Sequence, residues 1–118
     1  MADLALVVDD DPTIRHTITE TLLDEGYDVV TAPDGQVALH RAQDHAPAVI
    51  LLDYRMPDLD GPRFVQAYRQ RPGPHAAIVL VTAAVSAQEQ AAEVGADGYL
   101  GTPFALDDLV EMVAQHTR

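Results

Sequence analysis

The chain of 118 residues has the length of a single domain, and its 47% hydrophobic and 22% charged residues exclude both a disordered polymer and a membrane-embedded protein. Nineteen acidic residues against seven basic ones give a formal net charge of -12 at pH 7, which argues against direct binding to nucleic acid. The absence of cysteine excludes disulfides, thiolate metal sites and cysteine nucleophiles.

Five short apolar runs, rich in β-branched residues, are spaced along the chain, and each is typical of a β-strand. These runs cover residues 4–8, 28–31, 48–52, 78–81 and 98–100. The first, third and fourth runs are apolar at consecutive positions, as in a parallel sheet covered by helices on both faces. The sequence therefore predicts an α/β fold, a doubly wound sheet of five parallel strands in which strands and helices alternate.

The segments between the strands have the apolar spacing of helices, clearest for Ile14, Ile18 and Leu22. Asp11 is predicted to cap the first of these helices, because it stands directly before a proline. Ser86 has capping-box spacing to the glutamate three residues later, and Gly95 is placed to end that helix. We find no internal repeat or linker, and expect residues 1–118 to form one domain, with no output domain visible.

The polar residues that follow these strands suggest a metal site. Asp9 and Asp10 come directly after the first strand, and Asp53 comes directly after the third. Because the carboxyl ends of parallel strands meet at one edge of a sheet, we expect the three carboxylates to lie close together. Carboxylates about 4 Å apart repel by roughly 4 kcal/mol per pair at an effective dielectric of ~20, so the cluster should bind a cation or be protonated. An all-oxygen ligand set indicates Mg²⁺.

Asp53 is also the candidate nucleophile. It follows the apolar residues 48–52 without a break and precedes Tyr54 and Arg55, which places it at the mouth of the central strand. A carboxylate in that position can attack phosphorus and form an aspartyl phosphate.

Four segments of the sequence resemble the receiver domain of bacterial two-component response regulators. They are LVVDDDP at 6–12, followed by Arg15, LLDYRMPDLDG at 51–61, VTA at 81–83 and GADGYLGTPF at 95–104. The resemblance covers almost the whole chain and implies the flavodoxin-like (βα)5 fold with strand order 2-1-3-4-5.

The resemblance implies that Asp53 accepts a phosphoryl group from a sensor histidine kinase or a phosphotransfer protein. Asp10 would bind Mg²⁺ directly, Asp9 would bind it through water, and the backbone carbonyl of Arg55 would complete the protein's ligands, together with Asp53. Thr82 would donate a hydrogen bond to a phosphoryl oxygen, and Tyr99 would be the aromatic residue that moves with it as part of the switch.

Two departures from the family pattern stand out. Thr102 occupies the position where the family normally has a lysine that binds the phosphoryl group, although the following Pro103 matches the proline after a cis peptide bond. Arg55 could supply the missing positive charge, or it could simply extend into solvent. The segment from Thr82 to Gly95 is also about two residues shorter than usual, which predicts a truncated or shifted fourth helix.

The resemblance thus predicts a cytoplasmic receiver that signals to a downstream protein through its fourth helix, fifth strand and fifth helix. It implies a phosphoprotein that takes part in its own phosphotransfer and dephosphorylation but is not an enzyme with a separate substrate. A second copy of the chain, bound in a homodimer that forms on phosphorylation, is another possible partner. Direct binding to nucleic acid and insertion into a membrane are not expected. The alternative is a receiver-like interaction module that works without phosphorylation, which the loss of the lysine favours. A phosphatase is disfavoured, because Arg55 occupies the position of its usual acid.

Overall fold

The computed structural model describes residues 2–118, in which strands and helices alternate along the chain. The strands are β1 (Leu4–Val8), β2 (Asp28–Ala32), β3 (Val49–Asp53), β4 (Ala77–Ala83) and β5 (Gly98–Thr102). The helices are α1 (Pro12–Asp24), α2 (Gly35–His45), α3 (Gly61–Arg69), α4 (Ala87–Val94) and α5 (Leu106–Thr117).

The five strands form one parallel sheet in the order β2-β1-β3-β4-β5, which confirms the predicted architecture. The strand register decides which side chains meet at its carboxyl edge. Asp53 is paired with Val81 of β4, and Ala83 is paired with Thr102 of β5. The ends of β3, β4 and β5 therefore reach the same edge, next to the residues that follow β1.

Side chains alternate across the sheet and build a separate core on each face. Leu6, Ile50 and Leu80 point toward α2, α3 and α4, and pack around the fully buried Phe64. Val7, Leu51 and Val79 point the other way and pack against α1 and α5. Because both faces are covered, successive strand residues are all apolar, and the central strands are held rigidly between two helical layers.

The helix ends agree with the sequence in part. The Asp11 carboxylate accepts hydrogen bonds from the amides of Thr13 at 2.9 Å and Ile14 at 3.4 Å, so it caps α1 as predicted. Gly95 ends α4 with a positive φ of 69°, also as predicted. The capping box at Ser86 was a wrong prediction, because this residue has helical dihedral angles rather than extended ones and its side chain makes no capping hydrogen bond.

The segment around α4 differs from the rest of the fold. With eight residues α4 is the shortest of the five helices, and its buried residues are Ala87 and Ala91. Strand β4 extends two residues further than the apolar run indicated, so Thr82 lies within the strand. None of the helices among residues 2–118 is long and apolar enough to cross a bilayer.

The loop that joins β4 to α4 lies directly on β5, and glycine makes this contact possible. A Cβ atom at Gly101 would come within 2.6 Å of the Ala84 Cα atom, which is backbone and has little room to move. The Ala84 amide also donates to the Thr102 carbonyl at 3.2 Å. The loop is thereby held beside the carboxyl edge of the sheet.

We expect Gly101→Ala to lower the free energy of unfolding by about 1–3 kcal/mol, since the loop must shift to admit the methyl group. Gly98→Ala, on the same strand, is the matched control. Its Cβ would meet the Met112 sulfur at 2.8 Å and the His116 ring at 2.9 Å, which are ends of side chains that can rotate away. Urea unfolding of both variants tests this, and a loss at position 98 that equals or exceeds the loss at position 101 would contradict it.

Candidate functional site

Three carboxyl groups converge at the carboxyl edge of the sheet. One carboxylate oxygen from each of Asp9, Asp10 and Asp53 lies within 4.8 Å of the others. Asp9 and Asp10 directly follow β1, and Asp53 is the last residue of the adjacent β3. The predicted clustering of the three acids is thus present, because parallel neighbouring strands end side by side.

Asp9 is the most constrained of the three, with 4% of its surface exposed. Its Oδ1 atom accepts a hydrogen bond from the Asp11 amide at 2.9 Å, and its own amide donates to the Ala32 carbonyl at 3.2 Å. The Arg15 guanidinium donates to the Asp9 carbonyl at 2.7 Å. These contacts fix the backbone and the carboxylate of Asp9 without removing its negative charge from the cluster.

The crowding of acids changes their protonation. Burial, followed by the negative charge of Asp9 and by Asp10, raises the pKa of Asp53 from 3.8 to about 8, although the Arg55 amide opposes this by donating to its Oδ1 atom at 3.3 Å. Burial also raises the pKa of Asp9, and the charges of Asp10 and Asp11 act in the same direction. The cluster therefore favours a proton or a cation over three free negative charges.

The donor set fits a magnesium ion. All three side chains offer oxygen, two of them are at least half-buried, and their oxygens are close enough to serve one small hard cation. A divalent ion bound by Asp10 and Asp53, with Asp9 behind them, would offset the burial and the repulsion that together raise the pKa of Asp53.

A crevice of about 540 Å³ opens over the three acids and brings further predicted residues to them. Thr82 and Ala83 line it from β4, and Thr102 lines it from β5, at the position where the resemblance implies a lysine. The peptide bond between Thr102 and Pro103 is cis, as the resemblance implies.

Arg55 lines the same crevice and is exposed to solvent. Within residues 2–118 the ion pairs are Arg69 with Asp97 and Arg118 with Glu111, so the Arg55 guanidinium makes no ion pair with the acids of the site. Because Arg55 lies at the rim of the crevice, its role as a substitute cation stays a prediction.

Tyr99 lies apart from the other predicted site residues. It is 39% exposed on β5 and lines a different surface depression, together with Pro103 and residues of α5. The structure thus gathers the acids, Thr82, Arg55 and Thr102 at one crevice and leaves Tyr99 on the neighbouring surface, facing outward.

Gln90 of α4 is a site residue that the sequence reasoning missed. It lines the crevice, and its Oε1 atom accepts a hydrogen bond from the Thr82 hydroxyl at 2.8 Å. A signal was present, because residues 87, 90, 91 and 94 lie on one face of a helix and the other three are apolar. A glutamine in the inward stripe of a helix needs a polar partner, and Thr82 is that partner.

The raised pKa of Asp53 predicts a specific dependence of stability on pH. Between pH 3.8 and about 8 the folded protein holds a proton that the unfolded chain releases. The contribution of Asp53 to the free energy of unfolding therefore falls as the pH rises through this window. In metal-free buffer Asp53→Asn should be more stable than the wild type at about pH 8, by roughly 1–2 kcal/mol after allowance for partial solvent exposure, and the difference should vanish near about pH 4.

Urea unfolding with EDTA across that pH range measures this effect. Asp58→Asn is the matched control, because Asp58 is exposed and lies outside the acid cluster. A wild type and Asp53→Asn with parallel pH profiles would contradict the prediction.

Comparisons with known proteins bear directly on this site. A family model described as the response regulator receiver domain matches residues 5–114. Response regulator MprA of Mycobacterium sp. (strain KMS) is 39% identical over 107 residues, which are 89% of this chain and 46% of MprA. Transcriptional regulatory protein KdpE of Mycobacterium tuberculosis (strain ATCC 25618 / H37Rv) is 37% identical over 110 residues, 91% of this chain and 47% of KdpE. The chain spans about half the length of these curated relatives.

Solved structures agree with the sequence comparison. The chemotaxis response regulator CheY4 of Vibrio cholerae has a TM-score of 0.89 and 35% identity, over 98% of each chain. The resemblance indicated by the four sequence segments and the flavodoxin-like fold are both confirmed. With the family matched from β1 to α5, and with the acid cluster at the carboxyl edge of the sheet, the chain belongs to the receiver domains of response regulators.

Proposed function

We propose that this chain is a phosphoacceptor and that Asp53 receives the phosphoryl group. The observation that carries the proposal is the crevice in which the Asp53 carboxyl group, two further carboxyl groups and the Thr82 hydroxyl meet at the carboxyl edge of the sheet. Response regulators receive their signals from histidine kinases, so the donor is a phosphohistidine on a kinase or a phosphotransfer protein.

The transfer exchanges one bond to phosphorus for another. An oxygen of the Asp53 carboxylate attacks the phosphorus atom, a P–O bond forms, and the P–N bond of the phosphohistidine breaks. The leaving histidine nitrogen keeps the electron pair and takes a proton from solvent. Magnesium bound by Asp10 and Asp53 would supply positive charge to the phosphoryl oxygens.

Thr82 and Thr102 line this crevice with hydroxyl donors from β4 and β5, Ser86 lines it from the start of α4, and Arg55 lies at its rim. Thr82 stabilises the phosphoryl group by donating a hydrogen bond, and Thr102 adds a neutral donor where an ammonium group normally binds. Because neutral donors stabilise a dianionic group less than a cation does, the site depends strongly on the metal. In this proposal the chain has no separate substrate. It takes the phosphoryl group on its own Asp53 and loses it by hydrolysis, so it is not an enzyme in the ordinary sense.

We propose that the domain signals to its partner through one face of its surface. Phosphorylation is proposed to change the face formed by α4, β5 and α5, on which the exposed Tyr99 lies. A downstream protein, or a second copy of the phosphorylated chain, would bind there.

Intact mass after incubation with acetyl phosphate and Mg²⁺ tests the phosphoacceptor proposal. The wild type should gain the mass of one phosphoryl group and Asp53→Asn should gain none, because an amide is not a competent nucleophile toward phosphorus. Asp58→Asn, at an exposed position, is the control and should be modified like the wild type. No gain for the wild type, with this donor and with phosphorylated kinase domains, would overturn the proposal in favour of an interaction module that works without phosphorylation.

The dependence on metal gives a second prediction. Mg²⁺ at about one hundred times its Kd should raise the free energy of unfolding by about 2.7 kcal/mol, and so raise Tm. Asp10→Asn should lose most of this gain. Thr102→Lys should show a smaller gain and a higher Tm without metal, because an ammonium group in the crevice already neutralises part of the acid cluster.

Thermal unfolding with EDTA and with millimolar Mg²⁺ measures these differences. A wild-type Tm indifferent to Mg²⁺ would contradict the metal site. An equal gain in the wild type and in Thr102→Lys would contradict the role given to the missing lysine.

A further inference from the structure

Helix α4 is attached to the sheet by few apolar atoms. Its fully buried side chains are the methyl groups of Ala87 and Ala91, and Val94 is partly buried against the core, so α4 gains less hydrophobic stabilisation than a buried leucine or phenylalanine would give. The loop before it is exposed, with Val85 97% accessible. Ser86 at its start makes no capping hydrogen bond. Polar contacts must therefore hold α4 in place to an unusual degree.

The Arg69 guanidinium donates to the Val94 carbonyl at 3.4 Å in an exposed position, and two contacts between side chains add to this attachment. The Tyr54 hydroxyl donates to the Glu93 carboxylate at 3.2 Å, in an exposed position where solvent competes strongly. The Thr82 hydroxyl donates to Gln90 Oε1 at 2.8 Å, between two half-buried side chains. The second contact is shorter and better shielded from water, so we expect it to contribute more.

The Thr82 contact also lies at the phosphorylation crevice. Asp53, Thr82 and Gln90 line the same cavity. A threonine hydroxyl carries one hydrogen, so it donates to one acceptor at a time. A phosphoryl oxygen on Asp53 and the Gln90 carboxamide oxygen are therefore competing acceptors for the same proton, and the charged oxygen is the stronger of the two.

We propose that Gln90 is a positioning residue that holds Thr82 in the unphosphorylated orientation and couples Asp53 to α4. When Thr82 turns to the phosphoryl group, the hydrogen bond to Gln90 breaks and α4 loses its best-shielded polar contact with the sheet. The inference rests on the proposed phosphoacceptor function and adds to it the contact that transmits the state of Asp53. Thr102 in place of lysine makes Thr82 the more important donor, because no ammonium group is present to bind the phosphoryl oxygens.

The sharpest variant is Gln90→Met, which keeps the length and helix propensity of the side chain and removes the acceptor. Gln88→Met is the matched control, because Gln88 is exposed on the same helix. In the free proteins, hydrogen–deuterium exchange of the last turn of α4 should be roughly two- to tenfold faster in Gln90→Met than in the wild type. Gln88→Met should exchange like the wild type.

A phosphoryl analogue tests the coupling itself. Beryllofluoride with Mg²⁺ should accelerate α4 exchange in the wild type and should change it little in Gln90→Met, where the contact is already absent. Gln90→Met should also bind beryllofluoride roughly two- to tenfold more tightly, because no hydrogen bond has to break before Thr82 can turn. General damage to the site would weaken binding instead.

Thr82→Val provides the background that separates this coupling from any other effect of the new side chain. If Gln90 acts through the Thr82 hydroxyl, Gln90→Met should make no further difference to α4 exchange or to affinity once the hydroxyl has been removed. An effect of equal size in both backgrounds would overturn the assignment.

The remaining outcomes are distinct from one another. Binding of beryllofluoride to the wild type, seen by 19F NMR, with no change in α4 exchange would overturn the role of Gln90 and leave the phosphoacceptor proposal intact. Absence of binding to the wild type would overturn the phosphoacceptor proposal and the coupling with it. Equal exchange of Gln90→Met and Gln88→Met in the free proteins would show that the contact does not hold α4.

Discussion

The repulsion among three carboxyl groups at one edge of the sheet is the constraint on which the site depends. Asp9, Asp10 and Asp53 cannot all carry a negative charge at this separation without help, and burial together with the charge of Asp9 raises the pKa of Asp53. The fold does not relieve this repulsion by moving the acids apart, because β1 and β3 are hydrogen-bonded neighbours with both faces buried. The rigidity of the sheet thus preserves an electrostatically unfavourable arrangement that favours a divalent cation.

The positive charges of the protein are distributed in a way that keeps this arrangement. The Arg15 guanidinium, which is the arginine bonded closest to the cluster, donates to the Asp9 carbonyl and stabilises the backbone at the end of β1. Arg69 and Arg118 pair with acids elsewhere on the surface. With threonine at position 102, the cluster has no ammonium group beside it, and the proposed dependence on a metal ion rests on this.

Rigid and loosely attached elements meet at the crevice. The acids lie on strands held between two apolar cores, whereas α4 is held by two buried alanines, the partly buried Val94 and a few polar contacts, of which the hydrogen bond from Thr82 to Gln90 is the best shielded. If Asp53 is phosphorylated as proposed, we therefore expect the sheet to stay unchanged and α4, the less firmly attached element, to move. The packing of Gly101 against Ala84 keeps the loop between β4 and α4 close to β5. Because this loop has little freedom to move, we expect a change at Thr82 to be transmitted to α4.

The sequence by itself determined the fold class, the strand order implied by its family resemblance and the meeting of the three acids. Consecutive apolar residues require a sheet buried on both faces, and parallel strands bring their carboxyl ends to one edge whatever the details of packing. Caps with a local origin, such as Asp11 and Gly95, were also predictable, because they depend on a few adjacent residues. Ser86 had the right spacing for a capping box but not the extended dihedral angles that a cap needs, and its amide donates to the Ala83 carbonyl at 3.0 Å in the turn before α4.

Only the tertiary structure decided which residues distant in the chain are in contact and in which direction their side chains point. The bond between Thr82 and Gln90 joins a strand to the helix after it across a loop, and no local pattern specifies that these two groups face each other. Tyr99 lies outside the crevice and Arg55 is exposed at its rim, because the direction of a side chain depends on the element that carries it and on its neighbours. The spacing of polar and apolar residues encodes which element a residue belongs to, whereas the partner of a side chain depends on how complete elements pack together.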